Sequence, residues 1–272
     1  MVRMILCALL ISATWCFGLE DVLPQKSWRL NWDFMSSDGD GYFNYLESRD
    51  LLENAIAALT YEEKKSTLRS EYGYRRNLTL ITKFEYVSRE LTGGGTSLKN
   101  DGFSRAYLGM RQAIGPSRQS IRLTAEYGLW VPVEADGGEP LPIGNESLDW
   151  QFVTGYAQDF FPTRGGFEMD FGYRIRTENP EDELFFDTVL FFQVFKLGNL
   201  RMHYHVLESL ENTGRDFSIL EYPDNRAAKA FEVKFTRQFG QRWIFNVGYE
   251  KVIDGRNLPD TSGWTIGFEW WR

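Results

Sequence analysis

From residue 28 to residue 272 apolar and polar residues alternate one by one, in roughly twelve segments of about 8–14 residues. The last segment shows it best. Trp264, Ile266, Phe268 and Trp270 share one parity, and Thr265, Gly267 and Glu269 share the other. Phe167, Met169, Phe171, Tyr173 and Ile175 likewise oppose Glu168, Asp170, Gly172, Arg174 and Arg176. Successive side chains of a strand point to opposite faces, so the pattern predicts strands with one apolar and one polar face. The connections alternate as well. Residues 73–77, 115–118, 161–164, 197–199 and 240–242 read as tight turns. Residues 35–63, 91–102, 132–147, 210–227 and 253–263 read as long loops, and 177–182 is the one short member of that second set. Turns at one end and loops at the other predict an all-β chain: an antiparallel, up-and-down transmembrane β-barrel of about twelve strands, of the bacterial outer-membrane type. The turns and the N-terminus would face the periplasm and the loops the exterior.

A secreted sandwich or soluble barrel would also alternate, with its apolar face inward. Two features favour the inside-out arrangement. Segments of about ten residues match a membrane-crossing strand, whereas soluble strands average about five or six. Aromatic residues make up 16% of the chain and lie along the apolar parity, as expected of residues meeting lipid and its interfaces. Glycines recur on the polar parity, where they would make room inside a tube.

The first eighteen residues read as a secretory signal: Arg3, a short apolar core over 4–15, then Cys16-Phe17-Gly18, with cleavage expected after Gly18. The apolar run is too short for a membrane-spanning helix. Residues 19–272 would then form one barrel domain. Both cysteines, Cys7 and Cys16, fall in the signal, so the mature chain offers no disulfide. A net charge of −8 excludes a nucleic-acid partner, which would need a basic face.

Residues 70–86, SEYGYRRNLTLITKFEY, resemble a recurring signature of one group of small outer-membrane proteins, in which a strand ending E-Y-G meets a tight turn and a strand reading L-T-L. Residues 172–187, GYRIRTENPEDELFFD, residues 248–257, GYEKVIDGRN, and the ending GWTIGFEWW are similar to the same group. The family consists of transporter-like barrels akin to outer-membrane proteins of phenol meta-cleavage pathways. The chain departs from it at the turn Tyr74-Arg75-Arg76-Asn77, where the family favours Thr-Asp-Arg, and at the C-terminal Arg272, where many barrels end on an aromatic residue. The resemblance covers most of the mature chain and implies a fold and a location. Its motifs are structural rather than catalytic.

Inside a closed tube the polar parity would line a lumen. The residues expected to set its selectivity are Arg122, Glu126, Glu168, Asp170, Arg174, Arg176, Arg201, His203, His205 and Glu250. Charges there must be paired or hydrated, so the same residues serve either a salt-bridged filling or a narrow hydrated pore. Residues 36–47, SSDGDGYFNYLE, nearly fit a calcium loop, with Asp38, Asp40 and Glu47 at ligand positions and Gly41 at the turn. Ser36 stands where a strong site has Asp, so the expectation is an exterior loop over 35–63. Leu51, Leu52, Ala55, Ile56 and Leu59 at helical spacing predict a short helix within it. His203 and His205, the two histidines, are spaced i, i+2 on one strand face, a spacing that suits a metal ion or plain polar lining; the lining is the reading kept. No G-x-S-x-G elbow is present, and inward histidines suit a lipase badly. The acidic residues Glu134, Asp136, Glu139, Glu211, Asp216, Glu221 and Asp224 would give a solvated exterior surface or bridge lipopolysaccharide through divalent ions.

These readings lead to a passive channel for small solutes, aromatic or apolar ones among them, without cofactor and without catalysis. Its expected surroundings are outer-membrane lipid, lipopolysaccharide and the barrel-assembly machinery of a Gram-negative bacterium. A closed anchoring barrel is the alternative, and a barrel enzyme the remote one.

Overall fold

The computed structural model describes residues 22–43, 49–51, 60–93, 95–114, 121–133, 141, 143–144, 147–160, 163–177, 181–194, 197–210 and 226–272. The signal peptide expected over 1–18, the helical spacing over 52–59, Glu47 and the acidic residues at 134–139 and 211–224 lie outside them.

The strands are β1 (Trp28–Phe43), β2 (Arg49–Leu51), β3 (Thr60–Arg75), β4 (Leu78–Gly93), β5 (Thr96–Ala113), β6 (Ile121–Pro132) and β7 (Asp149–Asp159). They continue as β8 (Gly165–Arg176), β9 (Glu183–Val194), β10 (Gly198–Ser209), β11 (Ala227–Phe239), β12 (Trp243–Arg256) and β13 (Leu258–Trp271). Each long strand pairs antiparallel with its neighbours in sequence, and β1 pairs with β13 from Arg29↔Trp271 onward. That last ladder closes a twelve-stranded barrel and leaves no edge. The three-residue β2 is a hairpin return on the upper part of β1.

The barrel is inside out. Trp28, Leu30, Trp32 and Phe34 of β1, Phe171 of β8, and Trp264, Ile266 and Phe268 of β13 are exposed, Trp264 at 62%. Arg29, Glu71, Arg111 and Glu126, on the opposite parity, are buried. A soluble monomer seldom shows a continuous apolar patch above about 600 Å². Here the apolar face encircles the molecule, which is what a hydrocarbon environment requires.

β4 and β5 show where that environment stops. Tyr86 and Phe103 meet edge-on on the outer face, 5.4 Å between ring centroids. Above them the outward pairs are Ser88 with Asp101, Glu90 with Lys99 and Thr92 with Ser97. The hairpin therefore continues past the lipid with water on its outer face. Residues 91–93 and 96–102, expected as part of a long loop, are strand, paired from Val87↔Gly102 through Gly93↔Thr96. β1 and β3 likewise run on to Phe43 and back from Thr60, well into the 35–63 stretch. Residues 253–263 form strand on both sides of Asn257, whose φ of 52° is the left-handed conformation that Asn tolerates. The inner face of this extension carries its own small core, in which Tyr61, Leu91 and Leu141 pack together with Tyr42 and Leu98. Asn100 Nδ2 donates to the Leu141 carbonyl at 2.8 Å, pinning part of the β6–β7 connection there.

The calcium-loop reading of residues 36–47 changes accordingly. Asp38 and Asp40 lie in β1, whose ladder with β3 holds through Gly39↔Tyr61 while its ladder with β13 shifts register between Asp38 and Gly41. Asp38, paired with Glu62 on one side and Ser262 on the other, is held in extended strand, whereas Asp40 falls where the β13 register shifts, so the two do not share the continuous turn of a calcium loop.

Candidate functional site

The inward face divides into two unlike parts. Across β4 to β6 large side chains fill it. Tyr107 is fully buried and, with Ile81 and Trp130, forms an apolar cluster inside the tube. Two glycines permit this. A Cβ on Gly109 would lie 2.6 Å from the Tyr107 ring, and one on Gly128 would lie 2.5 Å from it. Lys83 Nζ stands 4.7 Å from the Tyr107 centroid, and Arg105 Cζ stands 4.1 Å from that of Trp130, so the ring faces also attract these cations.

Buried ion pairs fill the rest of this half. Glu126 accepts from the Tyr107 hydroxyl at 2.8 Å and from Arg111 Nη2 at 2.5 Å. Glu71 binds Arg29 and Arg69 directly, and Arg111 Nη1 stands 3.8 Å away. Outside that half, at the loop end of β8 and β9, Glu183 likewise gathers Arg174 at 2.6 Å, Arg226 at 2.9 Å and Arg176 at 3.1 Å. Arg174 also donates to Gln151 at 3.0 Å, and Gln151 accepts from Trp130 Nε1 at 2.9 Å. Each carboxylate meets several donors, the condition under which buried charge is tolerated.

Along β8 to β13 and β1 the tube instead holds a cavity of about 330 Å³. The carboxylates Asp33, Glu168, Asp170, Asp187, Glu232 and Glu269 outnumber Arg29, Arg69, Arg201 and Lys234 along its wall, and Val189, Phe191, Ile244 and Trp271 give it an apolar strip. The polar side chains are tied to one another across intervening strands. Arg201 on β10 reaches over β9 to Glu168 on β8 at 2.8 Å. Thr265 on β13 donates to Glu232 on β11 at 2.8 Å, above Gly248 of β12, whose hydrogen leaves room for both. His203 Nε2 and His205 Nδ1 each lie 2.7 Å from the same oxygen, Oδ1 of Asp187.

The structure thus sorts the ten expected lining residues. Glu168, Asp170, Arg201 and His203 line the cavity. His205 sits beside them on Asp187, and Glu250 faces Glu232 across the β11–β12 ladder. Glu126, Arg174 and Arg176 are locked in buried ion pairs, and Arg122 holds Asp159 with two bonds, at 2.6 and 3.3 Å, near the turn end. Asp187, which joins the two histidines, is not among the ten. The join depends on the β9–β10 register, in which Asp187 stands opposite His205. Parity supplies the face of each residue and leaves the register unspecified.

No protein-family model matches the chain, and no curated protein sequence matches it. Solved structures do. An outer-membrane channel from Pseudomonas putida F1 superimposes with a TM-score of 0.73 at 12% identity, over 94% of this chain and 98% of that one. The NanC porin superimposes with a TM-score of 0.54 at 8% identity, over 89% of this chain and 98% of that one. The chain therefore has the fold of outer-membrane channels.

Proposed function

We propose that this barrel is a passive channel for small solutes in the bacterial outer membrane, and that solutes pass along the β8–β13 side of the lumen. The observation that carries the reading is the cavity inside the tube, walled by hydrogen-bonded charges from most of those strands. A barrel serving only as an anchor has no use for a cavity walled by charges, where large side chains could fill the lumen as Tyr107 and Trp130 do. A wall of charges with an apolar strip suits small molecules that combine a polar group with an apolar body, aromatic ones included. Its surplus of carboxylates favours cations over anions. Outer-membrane lipid and lipopolysaccharide would hold the apolar belt, and the barrel-assembly machinery would insert it.

The alternative, a closed anchoring barrel, draws on the ion-paired packing around Glu71 and Glu183. Planar-bilayer recording of the purified protein separates the two. The channel reading predicts discrete unit currents in simple salt, with a reversal potential displaced toward the cation. Intact barrels that insert and carry no current would establish the anchoring barrel instead.

A further inference from the structure

We propose that Asp187, His203 and His205 form a binding site for a divalent transition-metal ion on the lumen wall. Two imidazoles and a carboxylate are the donor set of zinc, nickel and related ions, whereas calcium and magnesium prefer oxygen alone. The fold presents these donors from one face. His203 and His205 lie two residues apart on β10 and point the same way, and the β9–β10 ladder sets Asp187 directly opposite His205. One ligand atom from each residue lies within 4.8 Å of the others. Donors bound at about 2.0–2.2 Å around one ion stand about 3.3 Å apart in a tetrahedral site. The Asp187 oxygen now lies 2.7 Å from each ring nitrogen, so small side-chain rotations open the triad to that spacing.

The surroundings fit an ion as well as the triad does. His203 turns its other nitrogen, Nδ1, toward Glu232 Oε2 at 3.8 Å. A carboxylate behind a metal-bound histidine is the arrangement that fixes ring orientation in metal sites. Glu232 is itself held by Thr265 and, at 3.0 Å, by Lys234. Asp170 stands opposite Asp187, and Glu250 opposite Glu232, so the patch carries more negative than positive charge. Both histidines are half-buried, and His203 lines the cavity, which leaves a coordination position for water and a path for the ion to arrive. A bound dication would narrow the cavity and repel cations from it. That electrical consequence rests on the channel reading; the binding does not.

The test is calorimetric titration of the detergent-solubilised barrel with zinc chloride, backed by circular dichroism to confirm β structure in each variant. One zinc per barrel is expected. His203→Ala and His205→Ala should each weaken binding about 100-fold or more, and Glu232→Gln about tenfold. His203→Gln, similar in reach, replaces the alanine variant if that one does not fold, with the same loss expected. Magnesium at millimolar concentration should not compete. Absence of stoichiometric zinc binding would overturn the site. So would binding that survives folded variants of both histidines, since the ion would then sit elsewhere. In planar bilayers, micromolar zinc should reduce the current of the wild type and leave that of the histidine variants unchanged. Zinc binding without any current would defeat the channel and keep the site; currents without zinc binding would do the reverse.

Discussion

The two halves of the lumen are built from the same kind of strand and end in opposite states. In the β3–β6 half the inward positions carry large rings and long cations, and glycines at 109 and 128 let Tyr107 lie flat against the wall. In the β8–β13 half they carry Asp187, Asn199, His203, Thr236 and Asn246, shorter polar side chains that line a cavity of about 330 Å³. The apolar belt outside is continuous over both. Membrane insertion and lumen filling are therefore separate properties of one alternating pattern. The outward parity answers to lipid, which asks only for apolar side chains. The inward parity answers to the size of each side chain and the reach of its charge.

The largest expected effect lies in the packed half. Glu126→Ala would leave Arg111 buried without its nearest counter-charge and should cost about 3–5 kcal/mol, read from urea unfolding in lipid vesicles. Glu232→Ala in the cavity half should cost clearly less, because water can reach the groups it leaves behind; equal losses would erase the distinction between the halves. Next comes the outer face. Leu108→Arg places a cation against hydrocarbon and should cost about 2–4 kcal/mol by the same assay. Glu90→Arg, above the lipid boundary drawn by Tyr86 and Phe103, should stay within about 0.5 kcal/mol. A smaller loss of about 1–3 kcal/mol is expected for Gly128→Val, whose added methyls must displace the Tyr107 ring.

The lipid-facing half of the pattern was open to inspection in the chain, since Trp264, Ile266 and Phe268 on one parity leave little choice of environment. The strands above the membrane were hidden for the same reason. Ser88, Glu90, Lys99 and Asp101 are polar because water bathes their outer face, so the alternation that marks a strand fades and residues 91–102 imitate a loop. The calcium-like spacing of Asp38 and Asp40 is a second product of such a polar strand. Inside, parity gave the lining residues one face and could not divide them. Arg174 and Arg201 look alike in sequence. One is sealed against Glu183 and the other borders the cavity, because closure of the barrel by β1 and β13 decides which wall faces open space. The triad of Asp187, His203 and His205 depends on a register set by the whole β9–β10 hairpin, and spacing along the chain carries no trace of it.

The most direct test of the central claim is the reversal potential of single channels across a tenfold salt gradient, for the wild type, Lys234→Glu and Arg122→Glu. Lys234 borders the cavity, while Arg122 is held by Asp159 away from it. If solutes pass along the β8–β13 wall, Lys234→Glu moves the potential well toward the cation limit and Arg122→Glu moves it little. Unchanged potential in Lys234→Glu, or a larger shift in Arg122→Glu, would place the path elsewhere and contradict the account.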